Sequence, residues 1–209
     1  GKLLKKLGCL PKSMFSVDME NVKECVRVLN VKEGVLTMMP EARLSTVGKF
    51  EGIQDSTYNF IKKLKCPVCV MKFDGACLAN PKWGDKIRRG SYIEGNLSLL
   101  MTKEEVATLT LPELKERIEE GMHYDEFAWL EQHPELTYKS KTLAEGLENV
   151  LYRCPECGAL YSMKTEKRKL WCEKCGMTTE IDSRYGFVDN KPFKNLAEWY
   201  EWQNQVTKE

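Results

Sequence analysis

Histidine is the scarcest reactive residue in this 209-residue chain: there are two, His123 and His133, so imidazole-centred catalysis has almost nowhere to reside. Long apolar runs are also missing. The longest are short, as in Val35-Leu36-Thr37-Met38-Met39 and Val68-Cys69-Val70-Met71, far below the roughly 18 residues of a membrane-spanning helix. Neither sign of charge is in excess: 32 Lys and Arg face 31 Asp and Glu, for a net charge of +1. That balance removes the basic footprint that usually holds a protein to nucleic acid. There is no internal repeat and no low-complexity tract, and the 42% hydrophobic and 30% charged content is that of a globular protein, which excludes a collagen, a mucin or a disordered tail.

Cysteine, by contrast, is abundant, with nine residues. The opening Gly1-Lys2-Leu3-Leu4-Lys5-Lys6-Leu7 is basic and apolar but lacks the length and cleavage signal of a secretory leader. The cysteines are therefore expected to be intracellular thiols or metal ligands rather than disulfides. The strongest pattern among them is Cys154-Pro155-Glu156-Cys157-Gly158 and Cys172-Glu173-Lys174-Cys175-Gly176, with fourteen residues between Cys157 and Cys172. Each C-x-x-C-G folds the backbone so that two sulfurs face one ion, and the trailing glycine allows the conformation this needs. Two such knuckles predict a closed four-sulfur site on a zinc ribbon. With Cys154, Cys157, Cys172 and Cys175 filling the tetrahedron, no position is left for water, so one structural zinc per chain is expected. Its binding would supply on the order of 10 kcal/mol that so small a unit cannot obtain from its core.

Cys66-Pro67-Val68-Cys69 imitates a third knuckle but has Val70 in place of glycine and sits in an apolar, β-branched run. With Cys9, Cys25 and Cys77, these thiols are expected to be small buried hydrophobes. Between Arg153 and Arg184 seven basic residues face five acidic ones, and four thiolates on one zinc ion cancel that surplus of +2. Nucleic acid is accordingly not an expected partner, although Tyr161 and Trp171 could stack on bases.

Along the rest of the chain, helix and strand signals alternate. Asp18 precedes a run with apolar positions Val22, Cys25, Val26 and Leu29 at three-four spacing, which predicts a helix ending near Gly34. Val35–Met39 reads as a buried strand, Pro40–Gly48 as a loop, Ile53–Leu64 as a second helix and Cys66–Phe73 as a second strand. Strand, helix, strand at this spacing predicts an α/β fold with a right-handed crossover in a parallel sheet. Residues 102–135 then carry ten acidic residues against three basic ones. Thr102 with Glu105 and Thr110 with Glu113 form capping boxes, which predict two short helices, with a third starting near Tyr124. The expected organisation is an α/β domain over 1–100, an acidic helical extension over 101–148, the ribbon over 149–188 and an aromatic helix over 189–209.

In a parallel sheet, ligands bind beyond the carboxyl ends of strands, where Pro40–Gly48 would lie. Its Arg43 suits a bidentate grip on phosphate, Ser45 a further hydrogen bond, and Glu41 a hold on the arginine or on a substrate hydroxyl. The bland alternative is a polar turn with a local Glu–Arg pair.

Met39-Pro40-Glu41-Ala42-Arg43-Leu44-Ser45, then Gly48, resembles the F-P-E-G-T-R-S block of the glycerophospholipid acyltransferase family, which includes the enzymes that acylate lysophosphatidate. Glu41, Ser45 and Gly48 match in register; the arginine stands one place early and Ala42 replaces a glycine. Gly8-Cys9-Leu10-Pro11-Lys12 is similar to the family's G-x-I block, Cys66-Pro67-Val68-Cys69-Val70 to its V-P-V-x-hydrophobic strand, and residues 18–30 to its A-x-x-x-A-x-x-x-L helix. The likeness runs over residues 1 to about 83, and the acidic helices, ribbon and aromatic tail resemble an extension found in part of the family.

The resemblance implies acyl transfer from acyl-CoA or acyl carrier protein to a lysophosphatidate-like acceptor, with Glu41, Arg43, Ser45 and Lys12 binding acceptor phosphate or glycerol. It also implies a peripheral position at the cytoplasmic membrane surface. The family's catalytic base is the histidine of an H-x-x-x-x-D motif. Here His123 is followed five places on by Ala128, and His133 by Tyr138. The motif is expected upstream of Gly1, and the chain alone is expected to be inactive. The competing expectation is a non-catalytic binding or adaptor protein that uses the same scaffold, ribbon and acidic helices to engage a partner.

Overall fold

The computed structural model describes residues 6, 8–10, 19–41, 43–84, 87–88, 90–188 and 191–208. Lys12 and the Leu3-Leu4-Leu7 face lie outside them. The first helix, α1 (Met19–Asn30), follows the three-four apolar spacing, yet none of its residues is buried. The chain then runs through 33–39 without forming a strand, and Val35 and Met39 are 88% and 89% exposed.

Helix α2 (Asp55–Leu64) leads through Pro67 into β1 (Val68–Asp74). A four-residue helix α3 (Ala76–Ala79) follows, and β2 (Glu94–Met101) returns antiparallel to β1, with Met71 opposite Leu97. The mixed helix and sheet character holds, but the parallel sheet does not: both described sheets are antiparallel. A parallel crossover needs a partner strand, and the apolar Val35–Met39 run finds none among the described residues. Apolar character alone does not decide pairing, because register is set by the partner.

The acidic segment folds as α4 (Lys103–Thr108), α5 (Leu111–Met122) and α6 (Glu126–Glu131). Both capping boxes form: Thr102 N donates to Glu105 at 2.8 Å, and Thr110 N donates to Glu113 at 2.7 Å. Val106, Leu114 and Ile118 join Tyr58 and Met101 in a small core between α2, α4, α5 and the sheet. Lys62 of α2 donates to the carbonyls of Val106, Ala107 and Leu109 at the end of α4, acceptors that a helix terminus leaves unpaired.

A larger core extends from Val47, Leu78 and Trp129 to Leu170, Ile181, Tyr185 and Trp199. It contains the three-stranded antiparallel ribbon β3 (Met163–Glu166), β4 (Lys169–Cys172) and β5 (Thr178–Glu180), and the final helix α7 (Leu196–Lys208). Asn195 caps α7, its side-chain oxygen accepting from Ala197 N and Glu198 N. The expectation of five buried thiols is corrected: Cys9 and Cys69 are exposed, and Cys25, Cys66 and Cys77 are half-buried. Cys69 faces outward on β1, on a sheet face that no described residue covers.

Arg184, beyond the ribbon, ties it to α6. Its guanidinium donates to the carbonyls of His133 at 2.8 Å, Pro134 at 3.1 Å and Leu136 at 2.6 Å, and also to that of Leu130. Leu130 lies in the last turn of α6 and the other three acceptors in the turn that follows, where cations are favoured, and the planar guanidinium fork reaches them together. Arg184→Ala should therefore lower unfolding free energy by about 2–4 kcal/mol. Arg184→Lys should recover less than half of the loss, as read from urea midpoints at constant slope.

Candidate functional site

The four knuckle cysteines converge. Cys154 Sγ and Cys175 Sγ are 3.7 Å apart, Cys157 Sγ and Cys172 Sγ 3.8 Å, and all four sulfurs lie within 4.8 Å of one another. Disulfides would hold pairs at about 2.05 Å. A tetrahedron of sulfurs about 2.3 Å from a central ion has edges of about 3.8 Å, so the spacing fits a metal ion. Gly158 and Gly176 take φ of 68° and 77°, the left-handed turn each knuckle requires. Each turn is closed by its glycine amide: Gly158 N donates to Cys154 O at 3.0 Å, and Gly176 N to Cys172 O at 2.9 Å.

Surrounding groups favour sulfur as thiolate at one corner and resist it at another. Burial alone would raise the Cys172 thiol, but the Ser162 hydroxyl 3.2 Å away and the amides of Cys175 and Lys174 outweigh it and hold the thiol below its ordinary value. Burial pushes Cys154 up, so a metal ion must displace its proton. Behind the first knuckle, α7 acts as a brace. Trp199 Nε1 donates to Arg153 O at 2.9 Å, and the wholly buried Gln203 donates to Val150 O at 2.7 Å. The aromatic tail is legible in the sequence as a helix; Gln203 carries no signal there beyond its place one turn after Trp199.

The second constellation is the Pro40–Gly48 loop. Ser45 is 9% exposed, and its hydroxyl donates to Lys49 O at 2.8 Å and accepts from Lys49 N at 2.9 Å. Ser45 therefore closes the turn. Arg43 lies largely in solvent and pairs with Glu51 at 2.6 Å, while Glu51 also accepts from Thr46 N at 2.9 Å. Glu41 is half-buried and accepts from the Tyr124 hydroxyl at 3.3 Å, and burial raises its carboxyl above the ordinary value. Glu41, Arg43 and Ser45 thus share one loop.

That loop rests on Glu126, which is 1% exposed. Its carboxylate accepts from Cys77 N at 2.7 Å and Leu78 N at 2.9 Å, just after the end of β1. Its own amide donates to Gly48 O at 2.8 Å. Gly48 has φ of 75°, and a Cβ there would stand 3.0 Å from the Glu126 Cβ, so only glycine lets the loop lie this close. Lys49 pairs with Asp125 at 3.2 Å and Glu201 at 2.5 Å, tying the loop to α7 as well. In the sequence Glu126 reads as part of a solvated acidic face. The available signal is its spacing from Trp129 and Leu130, three and four residues on, which places it on the apolar side of α6.

His123 closes α5, its ring edge-on to Phe50, and His133 packs against Trp129 at 4.7 Å. His123 thus stands beside the loop's exit, through Phe50, and His133 lies just past the end of α6. Among the described residues no helix is long and apolar enough to cross a membrane. Compared with protein-family models, with curated proteins and with solved structures, the chain matches none.

Two outcomes follow from this geometry. Metal analysis should find one ion per chain, and Cys172→Ser should lose it; retention in that variant would contradict the four-sulfur site. Burial outweighs the Cys77 and Leu78 amides and pushes the Glu126 carboxyl up to about 7 from 4.5. A raised carboxyl stabilises the fold most below about 4.5, and this contribution is lost as pH rises through about 7. The wild-type melting temperature should thus fall between pH 5 and 8 more steeply than that of Glu126→Gln. Parallel slopes would refute the assignment.

Proposed function

We propose that this chain is the acceptor-binding part of a phospholipid-biosynthetic acyltransferase, carrying a structural zinc ion in its ribbon. The full reaction transfers an acyl group from acyl-CoA or acyl carrier protein to the hydroxyl of a lysophosphatidate-like glycerol phosphate, at the cytoplasmic face of a membrane. One observation carries the reading. Glu41, Arg43 and Ser45 stand on a single loop, pinned through Gly48 and Glu126 beside the end of β1, with the Arg43 guanidinium turned to solvent.

In this reading Arg43 exchanges its Glu51 partner for acceptor phosphate, a charge-assisted and bidentate contact. Glu41 receives a glycerol hydroxyl, and Ser45 holds the turn that presents both. Lys12 would add a second cation to the phosphate. An alcohol is a poor nucleophile at neutral pH and needs a base. His123 and His133 are engaged with the rings of Phe50 and Trp129, and neither heads an H-x-x-x-x-D motif, so the 209 residues alone bind acceptor without turning it over.

Four cysteines and no open coordination position favour zinc in a structural role, because zinc accepts sulfur tetrahedra without a redox change. The lack of an H-x-x-x-x-D motif in these 209 residues also suits a second reading, a non-catalytic binding protein on this scaffold, which requires no phosphate affinity at Arg43.

Calorimetric titration of the metal-loaded chain with sn-glycerol 3-phosphate and with lysophosphatidate separates the two. Binding should weaken about tenfold in Arg43→Ala, the equivalent of ~1.4 kcal/mol, and less in Arg43→Lys. Binding indifferent to Arg43 would favour the adaptor reading, and acyl transfer from an acyl-CoA by this chain alone would overturn the account of its missing base.

A further inference from the structure

Buried hydrogen-bond donors outnumber their acceptors around one ring, that of Tyr185. After α3 the chain turns at Pro81–Gly84, where Gly84 N donates to Pro81 O at 3.0 Å, and it returns so that Arg88 N donates to Ala79 O at 2.7 Å. This fold-back brings Trp83 and Arg88 against Tyr185, which is wholly buried. The rings of Trp83 and Tyr185 meet edge to face at 5.8 Å, and Tyr138 packs on the same ring at 5.3 Å.

Trp83 is 7% exposed, Arg88 5% and Tyr138 3%. Buried polar atoms are nearly always paired. Three buried side-chain atoms have no hydrogen-bond partner among the described residues, and two of them, Trp83 Nε1 and Tyr138 Oη, belong to this cluster. The Tyr185 hydroxyl already donates to Leu78 O at 3.1 Å. Burial pushes the phenols of Tyr138 and Tyr185 up, so both keep their protons and remain donors.

Arg88 adds a charge to this surplus. Its Nε donates to Tyr185 Oη at 3.4 Å and its Nη2 to Thr142 O at 3.3 Å, both long contacts to neutral oxygens. No carboxylate among the described residues pairs with it. The buried carboxylates of the region are engaged elsewhere: Glu126 accepts from Cys77 N and Leu78 N, and Asp74 faces Lys72 at 3.9 Å. Gly84 makes room for the guanidinium, since a Cβ there would stand 3.2 Å from Arg88 Nη2. A buried cation without a counter-charge is costly. A water molecule would satisfy the indole and the phenol but would leave that charge uncompensated.

Tyr138 also lines a cleft of about 220 Å³, with Gly90, Tyr92, Thr137, Lys139 and Glu135. Gly90 has nothing within 4 Å of where a Cβ would stand, so the backbone two residues past Arg88 borders open space. Glu135 faces His133 at 3.4 Å, and Lys139 brings a second cation to the cleft.

We propose that Arg88, Trp83 and Tyr138 form a site for a small oxyanion, a phosphate or carboxylate group that enters by this cleft. The guanidinium supplies charge and several donors, and the indole N–H and phenol O–H supply one donor each. The site does not rest on the Arg43 loop reading. The two regions meet at Leu78, whose amide Glu126 holds and whose carbonyl Tyr185 holds.

The Trp83 indole N–H reports occupancy. Its NMR resonance, assigned through Trp83→Phe, is followed in the metal-loaded chain as inorganic phosphate or acetate is added at constant ionic strength. Saturable shifts with either anion are expected, and the tighter of the two identifies the preferred shape. Tyr138→Phe keeps the ring packing and should weaken binding about fivefold. Arg88→Met should abolish it, and Arg43→Ala should leave it unchanged, which separates this site from the acceptor loop. No shift at ~50 mM of either anion, an equal shift with sodium chloride alone, or undiminished affinity in Tyr138→Phe and Arg88→Met would overturn the proposal.

Discussion

A single buried carboxylate holds the candidate loop, the end of β1 and α6 in one arrangement. Glu126 accepts the Cys77 and Leu78 amides with its side chain and donates its own amide to Gly48. A buried carboxyl is costly unless hydrogen-bonded, and these amides would themselves be orphaned at the start of α3 without an acceptor. Each group thus answers the other's unmet demand. The loop can approach only because position 48 has no side chain. Ser45, Arg43 and Glu41 inherit their places from that contact.

The ribbon solves a different problem. Its strands are three and four residues long, too short to stand as an independent sheet. Three devices support it: convergent sulfurs suited to one metal ion, α7 locked onto the first knuckle by Trp199 and Gln203, and Arg184 binding the turn after α6. The large core runs through all of these elements, so the ribbon shares its interior with the segment that carries the loop. Lys49, paired with both Asp125 and Glu201, is a second link between loop and final helix.

Local chemistry was legible in the residues, and distant pairing was not. The knuckles, both capping boxes and α2 depend on neighbours within a few positions, and they form where spacing places them. Val35–Met39 has the composition of a strand, but a strand exists only with its partner, and no periodicity names one. Cys69 is exposed rather than buried because alternation along β1 puts it on the face opposite buried Val70, which composition alone does not reveal. Glu126 and Gln203 were hidden because an acidic or amide residue reads as solvated until its backbone partners, 48 and 53 positions away, are known. The Pro40–Gly48 loop stands out in the sequence by its resemblance to an acyltransferase block, and folding adds how its residues are held.

The central claim is that this held loop receives the phosphate of a glycerol phosphate acceptor. An amide-resolved NMR titration of the metal-loaded chain with sn-glycerol 3-phosphate tests it most directly. The account predicts saturable shifts confined to the amides of residues 43–51 and those of Cys77 and Leu78 behind them. Shifts centred on the ribbon, or none at saturating acceptor, would contradict it.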